Sequence, residues 1–433
     1  MTNVVDPSSR ALGDLPLYQK YLNQTAQPVT RQNQPGANQY DLGSFNEVTI
    51  IETIRQAGTI SRTEIAEQTG LSQQSVSRIL RVLLERGLLA EGAQERTNKL
   101  GKPRTPVRLR AEAAHAIGVL VDPEVVSIVL ADLDGKILER RSIALPDSLA
   151  PLALVDLIGN CVDEVVATSG IDTRTFLGVG VAVPGPITAE GTLLDLPLSR
   201  AWRNMPLRSM LIARLKCPVV VEKDGAAAAI GERWIGRTAR SGDFIYLYFG
   251  TGIGSGLVLN GEAYRGSSAN AGEFGQLCAV RLGLIDSNGR PELVRECNPT
   301  AALPEIAREL GYSGPATTYR DFCAEVGAGN PAAVAAAHRV ADVIALGAVA
   351  LIDLLDLPML VIGGPVFEPE LEEIVMTTID TAVNSMPTAS RARHVAVLRS
   401  MLKVEAGALG AASTIFHASF APTVRRTRQY DFA

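Results

Sequence analysis

The chain has 433 residues, of which 46% are hydrophobic and 39 are glycine, and a net charge of −5; it is long enough for two or three domains and too apolar to be disordered throughout. No run of residues reads as the roughly 18 to 20 apolar positions of a membrane span, and the opening MTNVVDPSSRALGD lacks the basic start and apolar centre of a signal peptide, so a cytoplasmic protein is expected. The five cysteines form no C-x-x-C pair, which argues against a disulfide framework and a zinc cage, and no metal is expected.

Residues 1–43 are rich in Gln, Asn, Pro and Thr and read as disordered or loosely held. From Asn46 the pattern turns helical, with Val48, Ile50, Ile51 and Ile54 on one stripe, and Gly58 ends it. Ser61-Arg-Thr-Glu64 is a capping box that opens a short helix with Ile65 and Ala66 inward, ending at Gly70. Ser72 caps a third helix with the stripe Val76, Ile79, Leu80, Leu83 and Leu84, stopped by Gly87. Two short helices joined by a tight turn make a helix-turn-helix, and the basic stretch after Leu89 reads as a two-stranded wing. Residues 44–112 are thus expected to form a winged helix-turn-helix.

Charge is unevenly distributed. Residues 41–110 hold 11 Lys and Arg against 8 Asp and Glu, whereas residues 111–433 hold 27 against 36. Arg96, Lys99, Lys102, Arg104, Arg108 and Arg110 stand together with no acid among them. With its apolar stripe inward, the third helix turns Gln73, Gln74, Ser77, Arg78 and Arg81 outward. Gln pairs bidentately with adenine and Arg with guanine, while Lys102 and Arg104 suit backbone phosphates. The plainer reading is a solvated polar face on a small helical domain. The conjunction of helix spacing, outward residues and basic wing favours double-stranded DNA as a partner.

From Ile117 short apolar strands alternate with longer helical segments. Strands are read over 117–121, 125–132, 177–183, 219–222, 244–249, 256–259 and 359–362, and helices over 151–168, 224–236, 331–355 and 369–385. This alternation implies α/β layers.

Several motifs carry a resemblance. Phe249 opens FGTGIGSGL, and Tyr264 opens YRGSSANAGEFGQ; VAVPGP ends at Pro186, EKDGAAAAIGE begins at Glu222, and VIGGPVF begins at Val361. Together these resemble the ROK family of repressors and sugar kinases over roughly residues 45–418. The resemblance implies an actin-like/hexokinase-like two-lobed domain over 113–420, with sugar and ATP between the lobes in the kinases; residues 421–433 read by composition as a polar tail. A lone glycine loop is also compatible with a tight strand-to-strand turn.

The departures from the family matter most. Counting back from Ala131-Asp-Leu-Asp-Gly135, the kinases' Asp-x-Gly-Gly-Thr phosphate loop falls on Leu120, Asp122, Pro123 and Glu124. Proline removes an amide donor, and carboxylates there repel a polyanion. The family's Asn-Asp pair becomes Lys223-Asp224, where Asp224 matches the kinase general base; a further Asn becomes Leu198, and the zinc- and sugar-binding His becomes Gln276. Glu273 is retained, and Glu296 matches the last sugar-binding Glu. The ligand-binding set implied is therefore Lys223, Asp224, Glu273, Gln276 and Glu296, with no catalytic residue and no cofactor. Lys223 either attracts an acidic or phosphorylated sugar or pairs internally with Asp224 or Glu273. Asp224 also suits a helix cap.

The expected function is a DNA-binding transcriptional regulator of repressor type, a homodimer or homotetramer, controlled by a sugar or sugar-phosphate effector. A sugar kinase with a DNA-binding appendage, and a ligand-independent regulator with a vestigial cleft, are the alternatives.

Overall fold

The computed structural model describes residues 39–92, 105–122, 125–146, 149–194, 200–292, 294–402 and 405–420. Lys102 and Arg104 of the expected wing, Pro123, Glu124, Leu198 and the segments 1–38 and 421–433 lie outside these residues.

The first unit comprises α1 (Gln39–Ala57), α2 (Arg62–Thr69), α3 (Gln73–Glu85), β1 (Leu89–Glu91) and β2 (Val107–Leu109). Helix α1 starts well before Asn46, where its apolar stripe becomes legible. The capping box on α2 forms on both sides: the Ser61 Oγ accepts from the Glu64 amide at 3.3 Å, and the Glu64 carboxylate accepts from the Ser61 amide at 2.9 Å. Gly70 then closes α2 with φ of 69°, a left-handed value that needs glycine. Ser72 caps α3 through the Ser75 amide. Strands β1 and β2 pair antiparallel, Leu89 opposite Leu109, and Ile60 adds a bridge to Val107.

The remainder forms two lobes of one plan. The first lobe holds β3 (His115–Val121), β4 (Val125–Asp132), β5 (Ile137–Ala144), α4 (Pro151–Thr168), β6 (Phe176–Val183), α5 (Leu207–Leu215) and β7 (Val219–Lys223). Helix α6 (Asp224–Gly236) leads to the second lobe. There follow β8 (Phe244–Phe249), β9 (Ile253–Leu259), β10 (Glu262–Ala263), α7 (Phe274–Leu282), α8 (Pro299–Glu309), α9 (Tyr319–Gly327), α10 (Pro331–Leu355), β11 (Met359–Gly363), α11 (Pro369–Ser385) and β12 (Ala396–Arg399). The chain then returns to the first lobe as α12 (Ala406–Phe420). The sheets run β5-β4-β3-β6-β7 and β10-β9-β8-β11-β12. Each is an antiparallel meander continued by two parallel strands, so the lobes share one topology that no repeated sequence period betrays.

Alternation along β3 sorts the packing. Ile117, Val119 and Val121 join α4 and α5 in one core, while Ala116 and Leu120 face α12. Helix α12 lies so close to the sheet that a Cβ at Gly118 would collide with the Ala408 carbonyl, and one at Gly180 with that of Ala411. Its other side packs on α6, which in turn covers β8 and β9. Helix α10 is long and apolar enough to span a membrane by length and composition, contrary to the expectation from sequence. His338, Arg339 and Asp342 interrupt its run, and most of it is packed as the central helix of the second lobe.

Candidate functional site

The expected cleft falls where the ends of β3, β7 and the β8–β9 turn meet. Gly250 and Gly252 close that turn, the Gly250 amide donating to the Gly252 carbonyl at 2.9 Å, and β9 begins at Ile253. The glycine motif is thus half turn and half strand, with Gly254 and Gly256 inside β9, three residues earlier than the strand expected at 256. Gly256 admits the start of α6: a Cβ there would meet the Gly225 carbonyl and the Ala229 methyl. This contact sets Asp224, the first residue of α6, over Gly254.

Asp224 accepts from the Gly225 amide at 2.6 Å, so it does engage the first turn of its helix. It keeps some exposure to the cleft although protein crowds it closely. Burial pushes its pKa up to about 6, with Asp122 and Glu273 adding to the effect and the Gly225 amide and Lys223 opposing it. Lys223, nearly enclosed, donates to Glu273 Oε1 at 2.5 Å and to the Ala271 carbonyl at 3.4 Å. Gly185 makes room for this pair, since a Cβ there would lie 2.8 Å from the Lys223 stem and 3.4 Å from Glu273. Of the two fates open to Lys223 in the sequence, the structure has the internal pair with Glu273.

Asp122 stands in the turn after β3, in the segment where the sequence comparison expects the kinase phosphate loop. Its carboxylate accepts from Thr251 Oγ1 at 2.9 Å, which ties the first loop to the second. Lys223, Asp224, Glu273 and Asp122 are therefore neighbours. Gln276 is exposed on α7. Glu296 is buried and accepts from Arg339 of α10 at 3.1 Å, so its carboxylate is engaged by a helix of the second lobe. Among the described residues no cluster of three or more His, Cys, Asp or Glu is placed to hold a metal ion.

Sequence reasoning missed the bonds that hold the segment 264–273. Asn270 pairs with both the amide and the carbonyl of Ile187, at 2.9 and 2.7 Å, and Arg265 donates to Glu222 at 2.6 Å. Nothing in the sequence distinguishes these polar residues from their neighbours, because their partners lie 83 and 43 residues away.

On α3, Gln73, Gln74, Arg78 and Arg81 are exposed and Ser77 is half-buried, opposite the buried Val76, Ile79, Leu80 and Leu83. Neither Arg78 nor Arg81 makes an ion pair among the described residues. Solvent thus meets the face that the helix pattern assigned to base edges.

The two sites are joined through α6. Glu52 of α1 accepts from Arg55 Nε at 2.7 Å and from Arg233 Nη2 of α6 at 2.8 Å. Burial alone would raise the Glu52 pKa, but the bonds from Arg55 and the charges of Arg55 and Arg233 outweigh it and hold it at about 2. Arg55 also donates to the Trp234 carbonyl at 2.5 Å and lies 4.6 Å over the Trp234 ring. The apolar core runs without a break from Ile54 and Leu83 to Leu133, Trp234 and Phe416.

A helix-turn-helix reader fused to a two-lobed, kinase-like body is the class that this architecture defines. The ROK family profile matches residues 117–418 and a MarR family profile matches residues 44–97; the chain belongs to the ROK family. It is 24% identical over 353 residues to a xylose repressor of Caldicellulosiruptor bescii, covering 77% of this chain and 88% of that one. It is 25% identical over 365 residues to the DNA-binding transcriptional dual regulator NagC of Escherichia coli, covering 83% and 89%. A solved ROK family transcriptional regulator, a homolog of the E. coli MLC protein, has the same fold with a TM-score of 0.72 at 19% identity, over 88% of this chain and 97% of that one. The ROK family glucokinase of Streptomyces griseus, solved with glucose and AMPPNP, aligns at TM-score 0.59 and 26% identity, over 70% and 99%.

Proposed function

We propose that this chain is a transcriptional repressor that binds DNA through residues 44–112 and senses a neutral sugar in the cleft of residues 113–420, without phosphoryl transfer. The bond between Asp122 and Thr251 carries this reading. It places a carboxylate between the two loops that would flank a triphosphate, beside Asp224 and Glu273. At about 4 Å two like charges cost roughly 1 kcal/mol even in water, and more where protein excludes it. The Lys223 ammonium is spent on Glu273, which leaves hydroxyl groups rather than an anion as the natural guests of these carboxylates. The relatives named for xylose and N-acetylglucosamine support a sugar effector.

Helix α6 supplies the mechanism. Its first residue lies in the cleft, and its Arg233 and Trp234 grip α1 of the reader. At 1.5 Å per residue it is a rod of about 20 Å. A ligand that draws the lobes together moves both ends of one rigid element. In a homodimer or homotetramer this alters the spacing of recognition helices, which must match half-sites about one helical turn apart.

The test is a titration of protein bound to a selected DNA duplex with xylose, N-acetylglucosamine and glucose, alongside a coupled assay for ATP consumption. Release of DNA by one sugar with no ATP turnover is the expected result. Sugar phosphorylation would instead establish a kinase, and DNA affinity indifferent to every sugar would establish a vestigial cleft.

A further inference from the structure

A cavity of about 140 Å³ lies between the DNA-reading unit and the first lobe, and neither Lys223 nor Asp224 lines it. Arg55, Gly58, Thr59 and Arg108 line it from the reader, and Asp134 and Arg237 from the lobe. Three guanidinium groups thus face one carboxylate. Arg55 is committed to Glu52 and to the Trp234 carbonyl. Arg108 and Arg237 are not. Among the described residues Arg108 makes one long hydrogen bond, 3.4 Å to the Leu109 carbonyl, and Glu112, which feels its charge, is hydrogen-bonded to Arg110. Among the described residues Arg237 makes one bond, of 3.3 Å to the exposed Asp134. Each guanidinium carries five N–H donors, so most of theirs are unspent among the described residues.

The backbone around Arg237 is arranged to bring its guanidinium here. Arg237 ends α6 with φ of 47° and ψ of −131°, a conformation that side chains other than glycine rarely adopt. Opposite it, Gly58 has φ of 74°, and a Cβ there would lie 2.7 Å from Arg237 Nη1. Two unusual backbone positions on two separate units therefore accommodate one charged group. Paired arginines are the preferred frame for an oxyanion, which they bind with two parallel N–H···O bonds each.

We propose that this junction binds a small tetrahedral dianion of the size of inorganic phosphate, held by Arg108 and Arg237 in the field of Arg55, with Asp134 displaced towards solvent. The bound ion links the base of the wing to the end of α6 and so stiffens the joint through which the cleft addresses the reader. Binding of the ion is independent of the sugar reading, and only its effect on the joint rests on that reading. A DNA backbone phosphate offers the same chemistry, and the experiment separates the two sources.

Thermal unfolding and calorimetry would use the full chain in sodium phosphate against sodium chloride at matched ionic strength. Wild type is expected to show saturable binding and stabilisation by phosphate. Binding should weaken at least tenfold in Arg237→Gln and in Arg108→Gln, and vanish in the double variant. Both side chains are exposed, so all three variants should unfold like wild type in chloride, which shows that they are folded. Equal stabilisation by phosphate and chloride, or full phosphate binding by the double variant, would overturn the proposal. So would a phosphate-free DNA affinity that drops in Arg237→Gln with a shallower salt dependence, since this would assign the guanidinium to the DNA backbone.

Discussion

Glu52 joins the DNA-reading unit to the two-lobed body through a buried ion-pair network. Its carboxylate accepts from Arg55 Nε and Nη2, Arg233 Nη2 and Gln56 Nε2, all at 2.7 to 2.8 Å, and its side chain is 9% exposed. Glu52→Ala would leave two guanidinium groups, 3% and 8% exposed, without their counter-charge. Breaking a buried pair from one side costs about 3 to 5 kcal/mol. The proton affinity gives a second measure. Lowering the pKa from 4.5 to about 2 corresponds to stabilisation on the order of 3 kcal/mol. Because the folded-state pKa is the depressed one, this stabilisation is complete above about pH 4.5 and is lost as the pH falls towards 2. Urea unfolding would be followed through Trp234, which stacks on Arg55, in a Trp202→Phe background that removes the other indole. At pH 7 Glu52→Ala should cost about 3 to 5 kcal/mol and at pH 2.5 much less. A cost below about 1 kcal/mol at pH 7, or one unchanged at pH 2.5, would refute the reasoning.

Asp224 has the opposite sign. Its pKa is raised from 3.8 to about 6, so ionisation in the folded state opposes stability as pH rises through 6 and has no effect below 3.8. Asp224→Asn should raise stability by on the order of 3 kcal/mol at pH 7.5 and leave it unchanged at pH 3.5, while removing sugar binding in calorimetry; a variant that is less stable at pH 7.5 contradicts the burial argument. Lys102→Ala with Arg104→Ala should weaken DNA binding and lower the slope of log K against log salt by about 0.9 per lost phosphate contact, and an unchanged slope excludes the wing from the DNA backbone. Gly180→Val should abolish soluble expression or lower the melting temperature drastically, because its side chain would occupy the path of α12; a variant melting within a few degrees of wild type disproves that packing.

Helices α2 and α3 of the reader were legible almost residue by residue, because their signals are local. Ser61 with Glu64, Gly70 and Ser72 fix helix ends through contacts a few residues apart. Helices 151–168, 224–236, 331–355 and 369–385 also appear at the expected limits. Proline at the first turn marks three of them, and a strand end at Lys223 marks the fourth. Helix α12 escaped notice because AGALGAASTIFHASF is buried on every side and has no polar face to give it a period. Strand β5 escaped because Glu139 and Arg141 occupy its less exposed face while Leu138 is exposed. In the cleft, residue types pointed to Lys223, Asp224 and Glu273, but which of them pair depends on β7 and the start of α7 meeting in space. The engagement of Glu296 by Arg339, 43 residues further on, is of the same kind.

Helix α12 also bears on how the molecule comes into being. It fills the inner face of a sheet whose first strand, β3, lies about 290 residues earlier in the chain. During synthesis the reader and the strands of the first lobe emerge early, with Ala116, Leu120 and Ala182 uncovered until the helix arrives. The helix-turn-helix segment therefore leaves the ribosome long before the first-lobe sheet it shares a core with is covered. The same helix touches α6 and α1, so its arrival closes the lobe and braces the reader in one event.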